Sequence, residues 1–131
     1  MDSGSWYAAL KKPNWAPPSG VFGPVWSLLY ILIAASFGYV FIQFVQGNLS
    51  WPIALPFILN LIFNFAFTPL QFGLKNNLLA AVDILLVLIT LIWALIVIGP
   101  QIPWVAYVNI PYLLWVSFAT ALQLEITRLN R

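Results

Sequence analysis

The ionisable side chains limit the chemistry that this chain can perform. Its 131 residues include no histidine and no cysteine, and the three carboxylates are Asp2, Asp83 and Glu125. The chain therefore lacks the commonest general base, the usual haem ligand and any thiolate for zinc. Hydrolytic triads and metal centres have almost no side chains to draw on. The net charge of +2 is too small to indicate a nucleic-acid partner.

Three polar residues stand within apolar sequence and are candidates for a buried site. Asp83 lies about six residues into its apolar stretch, where an acid is costly and should face the interior of a helix bundle. Asn60 and Asn64 are four residues apart, so they share one helix face. We expect Asn64 and Asp83 to lie at similar depth and to hydrogen-bond. Such groups either hold helices together or line a ligand pocket, and the sequence leaves both roles open.

Aromatic residues form a second candidate group. Trp26 and Tyr30 are four residues apart, and so are Phe63 and Phe67, which flank Asn64. Any one of these rings suits a membrane interface or a lipid-facing position. Together, aromatic faces with a few amides suit a flat, largely apolar ligand. The group comprises Trp6, Tyr7, Trp15, Trp26, Tyr30, Phe63, Phe67, Tyr112 and Trp115.

The composition indicates which elements must position these residues. Hydrophobic residues make up 63% of the chain and charged residues 6%, whereas soluble domains have about 25% charged residues. A membrane span needs about 20 apolar residues, and the sequence predicts an all-α integral membrane protein with one domain over residues 1–131. A Trp- and Pro-rich loop covers residues 1–20. The predicted spans cover residues 21–45, 52–68, 77–98 and 104–129, with a kink at Pro111 in the last.

Charge predicts the orientation of these spans. With four spans, all basic residues fall on the side where the chain starts, so both termini are expected in the cytoplasm. Glu125 and Arg128 are spaced as a solvated surface pair. Ala34 and Gly38 are small residues four apart, a spacing that permits close helix approach. The N-terminus lacks the pattern of a signal peptide. The basic residues are Lys11, Lys12, Lys75, Arg128 and Arg131.

An ordered series of motifs resembles the TspO/MBR family, the tryptophan-rich sensory proteins and the mitochondrial translocator protein. It covers nearly the whole chain, which one short motif would not. The motifs are Trp6-Tyr7-x-x-Leu10-x-Lys12-Pro13-x-Trp15-x-Pro17-Pro18, Phe22-Gly23-Pro24-Val25-Trp26-x-x-Leu29-Tyr30, Asn60-x-x-Phe63-Asn64-x-x-Phe67-Thr68-Pro69, Phe72-Gly73-Leu74-Lys75, Ala81-x-Asp83 and Pro111-Tyr112-Leu113-Leu114-Trp115-x-x-Phe118-Ala119-Thr120-x-Leu122.

The resemblance implies a fold and a function. Family members have five spans, so the four predicted here would correspond to helices 2–5. They bind porphyrins such as protoporphyrin IX and, in many cases, sterols and benzodiazepine-type drugs, inside the bundle. The resemblance also implies a homodimer in a bacterial cell membrane, with porphyrin as ligand and no obligatory cofactor. Positions matching the family pocket are Tyr7, Trp26, Tyr30, Asn60, Phe67, Trp115 and Ala119.

Three functional hypotheses follow. The first is a tetrapyrrole- or lipid-binding protein with a sensory, transport or scavenging role. Positions equivalent to Trp26 and Trp115 are linked in some relatives to light-dependent porphyrin breakdown, which does not imply a dedicated enzyme. The second is a small proton-coupled multidrug exporter, a class that needs a mid-membrane acid in its first span, where this chain has none. The third is an assembly subunit without a ligand, which would not require the Trp- and Pro-rich loop.

Overall fold

Helices account for nearly all of the chain that the structure, a computed structural model, describes. It describes residues 20, 22–68 and 77–129. Three helices are long and apolar enough to cross a membrane, and a fourth is apolar but shorter, so the chain is an all-α membrane protein. The described helices are α1 (Phe22–Val45), α2 (Trp51–Thr68), α3 (Asn77–Ile98), α4 (Pro103–Val108) and α5 (Ile110–Leu129).

The turn between α1 and α2 follows from its residue types. Gly47 adopts a φ of +83°, a left-handed conformation that glycine reaches without steric cost. The Gly47 and Asn48 N–H groups then donate to Phe44 O at 3.0 Å and Gln43 O at 2.8 Å. These bonds satisfy carbonyls that the end of α1 would otherwise leave free. Pro52 lies in the first turn of α2, where its missing N–H costs nothing.

The last predicted span is interrupted. The sequence predicts one helix over residues 104–129 with a kink at Pro111, but α4 ends at Val108 and α5 begins at Ile110. The break therefore falls at Asn109, two residues before the proline. The reason is that Pro111 has no N–H to donate and its ring clashes with the carbonyl four residues earlier. Asn109 O still accepts from the Leu113 N–H at 2.9 Å, which starts α5.

α3 lies at the centre of the packing. Its buried apolar residues recur every three or four positions, so they line one stripe of the helix. The α3 backbone approaches α2 and α5 at many positions, whereas α1 approaches α2 and α4 at few. The outer surfaces carry many exposed apolar side chains, as a lipid-facing surface does. The α3 stripe comprises Ala80, Ile84, Val87, Leu91, Ala94 and Ile98.

Polar contacts place the start of α3 beside the end of α5. Asn77 O accepts from Thr127 Oγ1 at 3.0 Å and from Gln123 Nε2 at 3.3 Å. In the same stretch of α5, Arg128 and Glu125 form an exposed ion pair at 2.8 Å. The predicted surface pair is thus confirmed. An exposed pair of this kind contributes little to stability, because water and salt screen the two charges.

Candidate functional site

Tyr112 is the centre of a buried hydrogen-bond network. Its hydroxyl accepts from Asn64 Nδ2 at 2.7 Å and donates to Asn60 Oδ1 at 2.8 Å. Tyr30 donates from its own hydroxyl to Asn64 Oδ1 at 3.1 Å. Since Tyr30 is on α1, the two amides on α2 and Tyr112 on α5, this chain of bonds joins three helices. Tyr112 and Asn60 are fully buried, so the bond between them forms away from competing water.

The network continues into α3 through the other side of the Asn60 amide. Asn60 Nδ2 donates to Val87 O at 2.9 Å and to Thr90 Oγ1 at 3.2 Å. Thr90 in turn donates to Leu86 O at 2.7 Å. Both ends of the Asn60 side chain are therefore bonded. Such paired amides hold helices together within a membrane, at about 0.6 kcal/mol for an average interhelical bond.

The predicted hydrogen bond between Asn64 and Asp83 is wrong. The Asn64 amide bonds to Tyr30 and Tyr112 instead, because the two phenol side chains reach across from their own helices to the face of α2. Asp83 is buried, as expected. Its Oδ2 atom has no hydrogen-bond partner among the described residues. The described hydrogen bonds of the network do not include Asp83.

Aromatic rings span the gap between α1 and α5. The Trp26 ring on α1 meets Tyr112 and Trp115 on α5 edge-on, with centroid distances of 6.5 Å and 6.4 Å. Tyr30 lies against Trp26 at 5.6 Å. Rings at these separations attract one another through their quadrupoles. This attraction adds to the stability that burial of their apolar area already gives. The helices are therefore joined here by large side chains, and two of these rings, Tyr30 and Tyr112, carry hydroxyls of the hydrogen-bond network.

The structure brings together five of the nine predicted site residues. Tyr112 contacts Trp26, Asn60 and Asn64 directly, and Trp115 and Tyr30 join this group through Trp26 and Asn64. Phe67 and Ala119 are half-buried and pack against the hydrophobic core. Asp83 is buried on α3. Tyr7 lies outside the described residues.

Sequence reasoning gave Tyr112 too small a role. It appeared among the aromatic residues but not among the predicted site residues. The available signal was a phenol within an apolar span, because a buried tyrosine hydroxyl needs a hydrogen-bond partner. Thr90 was missed for a different reason. Its hydroxyl bonds its own helix at Leu86 O, and nothing in the sequence indicates that it also accepts from a neighbouring helix.

A second buried contact was also missed. Asn109 Nδ2 donates to Ser36 Oγ at 2.9 Å and to Val105 O at 2.8 Å. This contact ties α1 to the break between α4 and α5. The signal in the sequence was an amide two residues before a proline, where carbonyl groups lose their helical partners.

The arrangement suits binding better than bond cleavage. Among the described residues, no three acidic, histidine or cysteine side chains are close enough to hold a metal ion. The polar groups of the network are neutral amides and hydroxyls that hydrogen-bond one another, and none forms a nucleophile–base pair. Aromatic faces above a few fixed polar groups are what a site for a flat apolar molecule requires.

Comparison with known proteins gives a consistent result. A family model described as the TspO/MBR family matches residues 1–129. A tryptophan-rich protein TspO from Bacillus cereus is 41% identical over 128 residues, covering 96% of this chain and 81% of that protein. A tryptophan-rich sensory protein from Cereibacter sphaeroides is 35% identical, covering 95% and 77%.

A eukaryotic protein shows similar likeness. The translocator protein of Homo sapiens is 35% identical over 133 residues, covering 95% of this chain and 75% of that protein. The family match and these three relatives each span most of the chain. The chain therefore belongs to the TspO/MBR family.

Proposed function

We propose that this membrane protein binds a tetrapyrrole of the protoporphyrin IX type, or a sterol- or benzodiazepine-like molecule, within its helical bundle. The ligand would lie among the aromatic rings between α1 and α5, and the bound molecule would serve a sensory, transport or scavenging role. Membership of the TspO/MBR family supports the proposal. The residues assigned to the ligand are Tyr7, Trp26, Tyr30, Asn60, Asn64, Phe67, Asp83, Trp115 and Ala119.

The observation that carries the proposal is the edge-on contact of Trp26 with Trp115 at 6.4 Å. These rings fill the gap between α1 and α5, so a flat ligand must move them apart and stack against their faces. α1 is the helix that can yield, because its backbone approaches its neighbours at few positions. The buried amides and phenols of the hydrogen-bond network would then fix the ligand's orientation.

The test is a titration of protoporphyrin IX into purified protein, followed by quenching of tryptophan fluorescence. Trp26→Phe and Trp115→Phe should each weaken binding by up to about tenfold, since the smaller ring loses part of the about 0.5–1.5 kcal/mol that an aromatic pair contributes beyond its buried area. Trp51→Phe is the matched control, because Trp51 is exposed at the start of α2. Absence of quenching in the unaltered protein would overturn the proposal.

Light-dependent porphyrin breakdown would be a secondary property rather than dedicated enzyme activity. With a porphyrin bound between them, Trp26 and Trp115 would exchange electrons with the excited macrocycle. Illumination of the complex should then bleach the porphyrin absorption band. Trp26→Phe should slow the bleaching more than Trp51→Phe does, and equal rates in the two variants would remove the indoles from this role.

Proton-coupled export of drug-like compounds is a second candidate, favoured by one observation. Asp83 Oδ2 is buried without a hydrogen-bond partner in the described part of the chain, and buried acids commonly carry protons in transporters. Efflux driven by a pH gradient in proteoliposomes, lost in Asp83→Asn, would support it. The same gradient without efflux would reject it.

We further propose that the protein is a homodimer with both termini in the cytoplasm of a bacterium. α1, α2, α3 and α4 with α5 would correspond to helices 2–5 of a five-helix family bundle. The absence of native cysteine makes the orientation testable. A single cysteine introduced at either end should react with a membrane-impermeant maleimide only after the cells are opened. Labelling of intact cells would contradict this orientation.

A further inference from the structure

The first part of α1 is joined to the bundle by side chains that can separate. In residues 22–35, called here the first segment, Trp26 meets Trp115 on α5 edge-on, with ring centroids 6.4 Å apart. A hydrogen bond of 3.1 Å from Tyr30 to Asn64 joins the same segment to α2. Edge-on ring contacts contribute modestly and bind no backbone groups together. A flat aromatic ligand can therefore replace the contacts between this segment and α5.

The last part of α1 is held from two sides. In residues 37–45, the second segment, Phe37 and Val40 are fully buried. Phe37 meets a ring of α2 at 4.8 Å, and Tyr39 packs against Trp104 of α4 at 5.2 Å. The α1 backbone also approaches α2 and α4 at more positions than it approaches α5. The second segment is therefore fixed to its neighbours more firmly than the first.

Ser36, between the two segments, has a contact that fixes one point of α1. Its hydroxyl accepts from Asn109 Nδ2 at 2.9 Å, and the same nitrogen donates to Val105 O at 2.8 Å. Ser36 and Asn109 are fully buried, so water does not compete for these bonds. Asn109 Oδ1 has no hydrogen-bond partner within the described residues, which costs free energy. An apolar side chain would avoid that cost, so the amide at this position serves its two donated bonds.

α1 is also locally weak at this point. The Ser36 hydroxyl donates to Leu32 O at 2.7 Å, and a serine bonded in this way to its own helix often bends that helix. Gly38 follows two residues later and is a poor helix former. A Cβ atom built at Gly38 would meet nothing within 4 Å, so no neighbouring atom supports the backbone there. Serine and glycine close together are a known cause of helix kinks.

We propose that α1 hinges at residues 36–38, and that the first segment swings away from α5 to admit a ligand between the rings. Asn109 is a positioning residue in this movement, because it holds the hinge against the break between α4 and α5 while the second segment stays in place. The inference rests on the function proposed above, since it takes the ligand to lie between Trp26 and Trp115.

The size of the movement is compatible with a helix bend. Trp26 lies ten residues before Ser36, which is about 15 Å along the helix. A bend of about 13° therefore opens a gap of about 3.5 Å, the contact distance between stacked carbon atoms, and stays below the roughly 20° of a sharp kink. Leu29 and Ile33 are buried in the closed state. A flat apolar ligand in the gap covers them again, which limits the cost of opening.

The experiment measures distances between nitroxide spin labels by pulsed electron paramagnetic resonance, with and without protoporphyrin IX, in phospholipid bilayers. The chain has no native cysteine, and dilution with unlabelled chains restricts the distances to single chains. Leu28→Cys reports on the first segment and Ile42→Cys on the second, each paired with Ile89→Cys on α3. All three positions are exposed. The ligand should shift the Leu28–Ile89 distance by about 2–3 Å and the Ile42–Ile89 distance by less than about 1 Å.

Asn109→Ala tests the positioning role. Without the bond to Ser36, the Ile42–Ile89 distance should broaden and should shift with ligand as the Leu28–Ile89 distance does. Asn48→Ala is the matched control, since it removes an exposed amide in the turn after α1, and it should leave both distances unchanged. If Asn109→Ala loses helicity by circular dichroism, Ser36→Ala replaces it, because it removes the acceptor of the same bond. An unchanged Ile42–Ile89 distance in the folded variant contradicts this role.

Two results with bound ligand would overturn the hinge. One is an equal shift of both distances, which means that α1 moves as a rigid body. The other is an unshifted Leu28–Ile89 distance while quenching of tryptophan fluorescence shows that the porphyrin is bound. If the porphyrin does not quench, the proposed function fails instead, and the ligand-free distances decide about the hinge. The Leu28–Ile89 distribution should then be wider than the Ile42–Ile89 distribution, and equal widths reject the hinge.

Discussion

The two sides of this bundle are joined by different kinds of side chain. α3 approaches its neighbours closely where alanines such as Ala80, Ala81 and Ala94 are buried. α1 is joined to α5 and α2 by large rings, among them Trp26 against Trp115 at 6.4 Å and Phe37 against Phe57 at 4.8 Å. Close backbone approach leaves no room for another molecule, whereas rings can rotate and separate. The candidate site lies on the α1 side for this reason.

The sharpest test of this difference adds the same bulk to each side. Ala94→Leu should lower the free energy of unfolding by about 3 kcal/mol, since Ala94 is fully buried and overpacking strains a filled interior. Ala35→Leu, on the exposed face of α1, should leave it nearly unchanged. Unfolding in mixed detergent micelles measures both. Equal costs in the two variants would mean that α1 is packed as tightly as α3.

A smaller effect is expected where the two sides share the hydrogen-bond network. Tyr112→Phe removes one hydroxyl and leaves Asn60 Oδ1 and Asn64 Nδ2 without that partner, which should cost about 2 kcal/mol. Tyr107→Phe is the control, since Tyr107 is exposed on α4. The same unfolding assay applies. A Tyr112→Phe protein as stable as its control would show that the network contributes little to holding the helices.

The smallest effect should come from the bond that ties α1 alone to that network. Tyr30→Phe deletes the 3.1 Å bond to Asn64 and should cost about 0.6 kcal/mol. Tyr39→Phe is a close control, because both tyrosines are on α1 and 39% exposed. Hydrogen exchange should quicken in α1 of the Tyr30 variant and not in α3. Faster exchange throughout the bundle would contradict a local role.

The long apolar helices could be predicted because length and composition decide them. A run such as Asn77–Ile98 has one low-energy conformation in a bilayer, where every backbone group must be bonded within its own segment. The interruption near Pro111 was predictable in kind but not in position. The helix break falls at Asn109, where a side-chain bond to Ser36 on another helix stabilises it.

The candidate site was less predictable than the helices. Spacing placed Asn60 and Asn64 on one helix face, and both are buried. Spacing could not determine the partner of Asn64. It predicts the depth of a residue in the membrane, but a contact also depends on how each helix is rotated about its axis. Asp83 has suitable depth, yet the Asn64 amide bonds to two tyrosines instead.

The sequence by itself determined that this is a helical membrane protein of the TspO/MBR family, because hydropathy and the order of motifs can be read directly from the amino-acid sequence. Only the tertiary structure decided that Tyr112 links the amides on α2 to the rest of the core, and that α1 is joined to α5 by aromatic rings. Both depend on how far apart and at what rotation the helices pack. Those quantities arise from the sum of many side-chain contacts between helices, and no single helix contains them.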